Sequence, residues 1–414
     1  MKISRICVSF LLLIAVALQL VSCGTAKASD LMGGVRANSV TGKTADDTFI
    51  TAQMDFAAEL FRRSAEKTDG ENTLISPLSV MIALAMTANG ADGNTRVQME
   101  NVLGGALALE ELNEYLHTFV EKLPSGEDYK LHLANSIWAR KGDFAVKNPF
   151  LQTNADYYRA DLFEAPFDST TLAQINGWVN EHTDGMIPSI LNEIPHDAML
   201  YLINAVCFDA AWDDTYPEWA VREHDFTDIQ GKTHKVEMMF SGEKHYLSDE
   251  NTTGFLKNYV DGKYQFVALL PDENVDFDEY LASLTGEKLT ALLSSAMYHP
   301  VDAGLPKFEY EFEIRLPEIL AEMGMTDAFT EMADFSRISE TPLCISNVLH
   351  KTFISVSEER TRAAAVTAVE TVPTSAEIDP KKPKEVILDR PFVYMIIDGA
   401  TNLPLFIGTV TNIE

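Results

Sequence analysis

Residues 200–208 read Leu-Tyr-Leu-Ile-Asn-Ala-Val-Cys-Phe, a nearly continuous apolar run broken only by Asn204. Successive side chains of a strand point to opposite faces, so apolarity at both parities fits a central strand buried on both sides. The surrounding chain mixes helical and strand periods. Phe56-Ala57-Ala58-Glu59-Leu60-Phe61 opens a helical pattern that ends near Gly70. After Asn72 the apolar spacing continues through Met81, Leu84 and Ala85 to Gly90. Ser76 before Pro77 marks a helix start there, because a serine cap accepts an orphan N–H and proline fits the first turn. Residues 131–138 and 226–270 are strand-like, and residues 386–397 and 404–410 form a strand pair across the turn residues 398–402. Helices crowd the first half and strands the second, with no repeat and no Pro/Gly-rich linker within 49–414. One large α+β domain is expected.

Among 414 residues, 62 Asp and Glu against 32 Lys and Arg give a net charge of −30. Such a field repels phosphate backbones, so no nucleic-acid partner is expected. Lys2 and Arg5 precede the apolar run 6–21, too short for a comfortable transmembrane helix and shaped like a secretory signal. It ends in Leu20-Val21-Ser22-Cys23-Gly24, which is similar to a bacterial lipobox. That resemblance implies a signal peptide over 1–22, a lipid on Cys23, and an exported protein. It would be held at the bacterial outer membrane or cell surface, with the periplasmic face or release as alternatives. Removal of 1–22 takes away two positive charges and leaves −32. Residues 23–48, rich in Gly, Ser, Thr, Ala and Asp without apolar periodicity, read as a flexible tether. Cys207 and Cys344 lie in apolar stretches and read as core thiols, although an oxidising envelope would permit a disulfide.

Enzymatic motifs find little support. There is no G-x-S-x-G. Gly42-Lys43-Thr44 and Gly231-Lys232-Thr233 lack the upstream glycine of a P-loop, since Ala37 and Phe226 stand there. Asp272, Glu273, Asp276, Asp278 and Glu279 lack EF-hand spacing and read as a solvated acidic turn. No CxxC or HExxH occurs, and His182, His196, His245 and His299 are scattered. Neither metal nor cofactor is expected.

The segment 358–373 stands apart. Split by strand parity, one face carries Thr361, Ala363, Ala365, Thr367, Val369 and Thr371, all small or β-branched and uncharged. The other carries Arg360, Arg362 and Glu370. Such a strand could bury one face and keep the other wet. Residues 375–384, with Pro380, Lys381, Lys382 and Pro383, are loop-like. An exposed strand-competent segment invites unwanted pairing unless it has a purpose.

This stretch resembles the hinge and reactive-centre loop of serpins, which insert that loop into a β-sheet. Further landmarks are Ala134-Asn135-Ser136 with Trp138, Trp178-Val179 with Thr183 and Gly185, and Asn204-Ala205 leading to Trp212. Leu305-Pro306-Lys307-Phe308, Ala333-Asp334-Phe335-Ser336, Val348-Leu349-His350-Lys351 and Asp389-Arg390-Pro391-Phe392 follow in the family's order.

The resemblance covers 49–414 and implies a single domain of about nine helices around three β-sheets, with the hinge and loop at 360–385. It implies a suicide-substrate inhibitor of serine endopeptidases, with papain-like cysteine proteases as a further target class, that is consumed in a covalent 1:1 complex. A monomer is expected. Glu358, Thr361, Ala363, Ala364, Ala365, Val366 and Thr367 match the hinge. Ser76, Ser79, Asn204 and His350 match the shutter, and Trp212 the breach. The residue sixteen after Glu358 is Thr374, which places the reactive bond at Thr374–Ser375, with cleavage after Val369 or Thr371 as alternatives. Val372-Pro373-Thr374 suits an elastase- or subtilisin-like target. The family prefers glycine where Arg360 stands, a departure that could slow insertion. A non-inhibitory binding or carrier serpin is the alternative, against which the run of small residues 363–367 argues.

Overall fold

A computed structural model of the chain describes residues 27–142, 145–196, 198–361 and 382–413. Among these the apolar run becomes the strand Leu200–Ala211, buried along most of its length. Its two parities enter different cores. Leu200, Leu202, Val206, Phe208 and Ala210 join the main core, whereas Tyr201, Ile203, Ala205 and Cys207 pack in a second cluster with Ile175, Trp178 and Val179. The helix Ser169–His182 carries that second cover. On the main-core side the helix Pro77–Ala88 contacts the strand, and every residue of that helix is buried.

The strand lies inside a seven-stranded sheet. The order across it is Ser29–Asp30, Asp161–Ala165, Tyr129–Arg140, Leu200–Ala211, Arg360–Thr361, Asn347–Val356, Phe308–Arg315. Nine α-helices occur among the described residues, in a single α+β architecture. Hydrogen bonding groups the strands into two sheets where three were expected. The long strand Thr233–Ser248 is the reason, pairing with Val221–Thr227 at its start and Thr252–Asn258 at its end. One strand thus ties two groups into one ladder.

Several local expectations shift. The first helix is Asp47–Glu66, because the Asp46 carboxylate accepts from the N–H groups of Thr48 and Phe49 well before the apolar pattern begins. Helix Pro77–Ala88 starts where expected, but the Ser76 hydroxyl makes no cap bond and has no partner. The Ser76 backbone N–H is used instead.

The tether is the larger correction. Residues 27–46 lie along the body rather than free of it. Ser29–Asp30 pairs antiparallel with Asp161–Ala165, and Leu31 N–H donates to the Leu162 carbonyl at 2.9 Å. Leu31, Met32 and Val35 pack against the main core, and Lys43 N–H reaches the Glu114 carbonyl at 3.1 Å. A sheet edge offers backbone partners to almost any sequence, so three apolar anchors suffice without periodicity. Among the described residues Cys207 is buried and Cys344 half-buried, with no disulfide between them. Among the described residues no helix is long and apolar enough to cross a membrane.

Glycine is required where the strand Pro404–Val410 passes the short strand Leu74–Ile75. A Cβ at Gly408 would stand 2.5 Å from the Thr73 carbonyl oxygen and 2.8 Å from the Tyr394 hydroxyl. Gly408→Ala is expected to cost roughly 1–3 kcal/mol, read as a lower denaturant midpoint. An unchanged midpoint would show that the two strands can move apart.

Candidate functional site

The seven-stranded sheet contains a seam. Leu200–Ala211 and Asn347–Val356 run parallel and pair from Tyr201 opposite Asn347 to Cys207 opposite Phe353, seven pairs in all. Above Cys207 the strands part. Arg360–Thr361 enters the gap antiparallel to both, with Arg360 opposite Ala211 and Thr361 opposite Ala210 and Val356. Parallel ladders are slightly weaker per residue than antiparallel ones. A longer strand continuing along this path would replace one parallel ladder with two antiparallel ladders.

A buried polar cluster crosses the seam. His350 and Asn204 are paired in register, and the His350 Nδ1–H donates to Asn204 Oδ1. His350 Nε2 accepts the Ser76 backbone N–H at 3.0 Å, which fixes the neutral tautomer. The Asn204 side-chain amide donates to Ser79 Oγ at 2.5 Å and to Asn135 Oδ1. Burial pushes the His350 imidazole down to about 3, so it stays neutral across the physiological range. Ser76, Ser79, Asn204 and His350 are therefore brought together beneath the paired strands of the seam. Asn135 belongs with them; in the sequence it stood only as part of a family landmark and was not assigned to this cluster. The available signal was a lone asparagine in a strand that pairs, in register, with the lone asparagine of the next strand.

At the upper end, Trp212 is buried and stacks on Tyr259 with ring centroids 4.4 Å apart. Its Nε1–H donates to the Ser357 carbonyl at 2.9 Å, and its backbone N–H to the Glu359 carbonyl at 3.0 Å. Tyr216 N–H holds the Glu358 carbonyl at 2.9 Å. Burial would raise the Glu358 carboxyl, but the Lys307 ammonium at 2.9 Å outweighs it and holds the group below its usual range. Thr361 is fully buried, its hydroxyl 2.7 Å from the Tyr259 hydroxyl. Arg360 lies on the other face, the sidedness that parity requires. Ala363, Ala364, Ala365, Val366, Thr367, Val369, Thr371, Thr374, Ser375 and Cys23 lie outside the described residues.

Comparison with known proteins gives the arrangement a setting. The family model described as "Serpin (serine protease inhibitor)" matches residues 51–413. Serpin B6 of Macaca fascicularis is 33% identical over 379 residues, covering 87% of this chain and 98% of its own length. The crystal structure of tengpin, a thermophilic serpin, in its native state is 51% identical, with a TM-score of 0.89 over 94% of this chain and all of that one. Its latent state matches less well, with 49% identity and a TM-score of 0.80 over 90% of this chain and all of that one. Human thyroxine-binding globulin is 26% identical, with a TM-score of 0.80 over 88% of this chain and 98% of its own.

Proposed function

The chain belongs to the serpin family, and from that premise we propose that it is an inhibitory member, a suicide substrate that traps a target endopeptidase by inserting its cleaved loop at the seam. The observation that carries this reading is the pair Arg360–Thr361, already seated between two parted parallel strands. The residues that would follow it into the sheet on the buried face, Ala363, Ala365 and Thr367, are small and uncharged. Each would enter without a cavity to open or a charge to desolvate.

The covalent step belongs to the protease. Its serine Oγ attacks the carbonyl carbon of Thr374, the amide bond to the Ser375 nitrogen breaks, and that nitrogen leaves with a proton supplied by the protease's histidine. An ester now joins the two proteins, and water would normally hydrolyse it. About thirteen inserted residues at 3.3 Å each span roughly 43 Å, enough to drag the tethered enzyme across the inhibitor. Distortion of its site by about 1 Å is sufficient to stall deacylation. Cleavage after Val369 or Thr371 would serve a different protease, including a papain-like one. Val372-Pro373-Thr374 favours an elastase- or subtilisin-like enzyme.

The likeness to thyroxine-binding globulin, named for a carried ligand, keeps a non-inhibitory binding role as the second reading. One experiment separates the two. Mature protein is incubated with elastase-like, subtilisin-like, trypsin-like and papain-like proteases and run on denaturing gels. An SDS-stable 1:1 complex is expected with the first two. Clean cleavage with no gain in heat stability would sink the inhibitory reading. The lipobox-like Leu20-Val21-Ser22-Cys23 further supports export and a lipid anchor on Cys23 at a bacterial outer membrane or surface. Metabolic labelling with a radioactive fatty acid should mark the wild type and spare Cys23→Ser.

A further inference from the structure

The hinge carries a charge at the point where it enters the sheet, and that charge has a partner. Arg360 Nη1 lies 3.0 Å from Asp209 Oδ1, and both side chains are more than four-fifths buried. Asp209 stands two residues before Ala211, the backbone partner of Arg360, so the pair bridges the inserted residue to the strand it lies against. Around it the same short segment is fastened at every residue. The Ser357 and Glu359 carbonyls accept from Trp212, the Glu358 carbonyl from Tyr216, and the Thr361 hydroxyl meets that of Tyr259. Two contacts of this segment depend on opposite charge, Glu358 with Lys307 and Arg360 with Asp209, and the second ties the hinge to the strand Leu200–Ala211.

We propose that Arg360 is a positioning residue for loop insertion, and that its ion pair with Asp209 holds the first rung of the incoming strand in the sheet before the loop is cut. The proposal rests on the inhibitory reading for its consequence but not for its geometry. Ordering each backbone residue costs about 1–2 kcal/mol, and the first rung of a strand meets that cost with little ladder to offset it. A hinge latched in place has already met it, and the strands on either side are already apart. After cleavage, insertion extends an existing rung instead of nucleating one. The race between insertion and deacylation then starts in the inhibitor's favour. Arginine where the family prefers glycine thus gives up backbone freedom and gains an anchor, the reverse of the slowing expected from sequence.

The test uses the full mature protein and three variants: Asp209→Asn, Arg360→Gln, and the exchange Asp209→Arg with Arg360→Asp. The first readout, hydrogen exchange of the hinge peptide in uncleaved protein, needs no protease. Exchange at Arg360 and Thr361 should be about tenfold faster in either single variant, as expected for loss of a charge-assisted contact, and slower again in the exchanged pair. Unchanged exchange in both single variants overturns the latch. The second readout is the amount of inhibitor consumed per protease trapped, expected to rise about threefold in the single variants and to fall back in the exchanged pair. A fall in the single variants would mark Arg360 as a brake and overturn the proposal. If the wild type traps no protease at all, the inhibitory reading fails, while the exchange measurement still decides whether the latch exists.

Discussion

Thr361→Arg is expected to turn the chain from an inhibitor into a substrate. Thr361 is fully buried against Ala210 and Val356, and its hydroxyl meets that of Tyr259. A guanidinium there would enter a buried face where Thr361 now meets Tyr259, Ala210 and Val356, and an unpaired buried charge costs on the order of 3–5 kcal/mol. Spread over the competition between insertion and deacylation, that is about a hundredfold or more in the fraction of protease trapped. Gels should show complete cleavage and no complex, with association and cutting still fast. Thr361→Ser keeps a hydroxyl for Tyr259 and should trap nearly as well as the wild type. Undiminished complex formation by Thr361→Arg would refute the register in which Thr361 faces inward.

Acid should loosen the seam through one histidine. An unfolded histidine titrates near 6.5, whereas His350 in the fold stays neutral down to about 3 because it is buried. Between those values the open or unfolded chain takes up the proton and the folded chain does not. The stabilisation is therefore complete above about pH 6.5 and is lost progressively as pH falls, reaching on the order of 4 kcal/mol near pH 3. Protonation would also place a hydrogen on Nε2, facing the Ser76 N–H that now donates to it. Carboxylates such as Glu358, held low by Lys307, add their own loss only below the usual carboxylate range. His350 therefore loses its contribution before Glu358 does, in the window from about pH 6.5 to 4.5. Denaturant midpoints measured across it should fall in the wild type and stay flatter in His350→Gln. Equal slopes would mean that the cluster opens without charging the ring.

What the sequence could disclose followed from how local its cause was. The strand Leu200–Ala211 was legible because burial on two faces writes itself into both parities of one stretch. Parity also placed Thr361 and Arg360 on opposite faces, since a strand needs no partner to have two sides. Long-range pairing left fainter marks. Asp209 and Arg360 are 151 residues apart and carry no pattern that links them. Asn135 sits in a strand of ordinary composition, and only its alignment opposite Asn204 explains it. Residues 27–46 were misread because an edge strand of two residues and three apolar anchors leave no period to detect. The sheet count changed for a related reason. Whether two strand groups join is decided by the partners of Thr233–Ser248, Val221–Thr227 at its start and Thr252–Asn258 at its end, which composition does not encode.

The docked N-terminal segment alters how the protein would meet a surface. With the lipid proposed on Cys23, the chain between anchor and body is residues 23–26, a reach of about 14 Å at full extension. The tether expected from composition would have allowed roughly 85 Å. A leash this short would make the membrane a neighbour of the sheet edge at Asp161–Ala165, against which Ser29–Asp30 lies. The inhibitor would then stand at the surface in a restricted set of orientations instead of sweeping the space above it. A captured protease would remain parked within one body length of the lipid, and only enzymes that come that close would be intercepted.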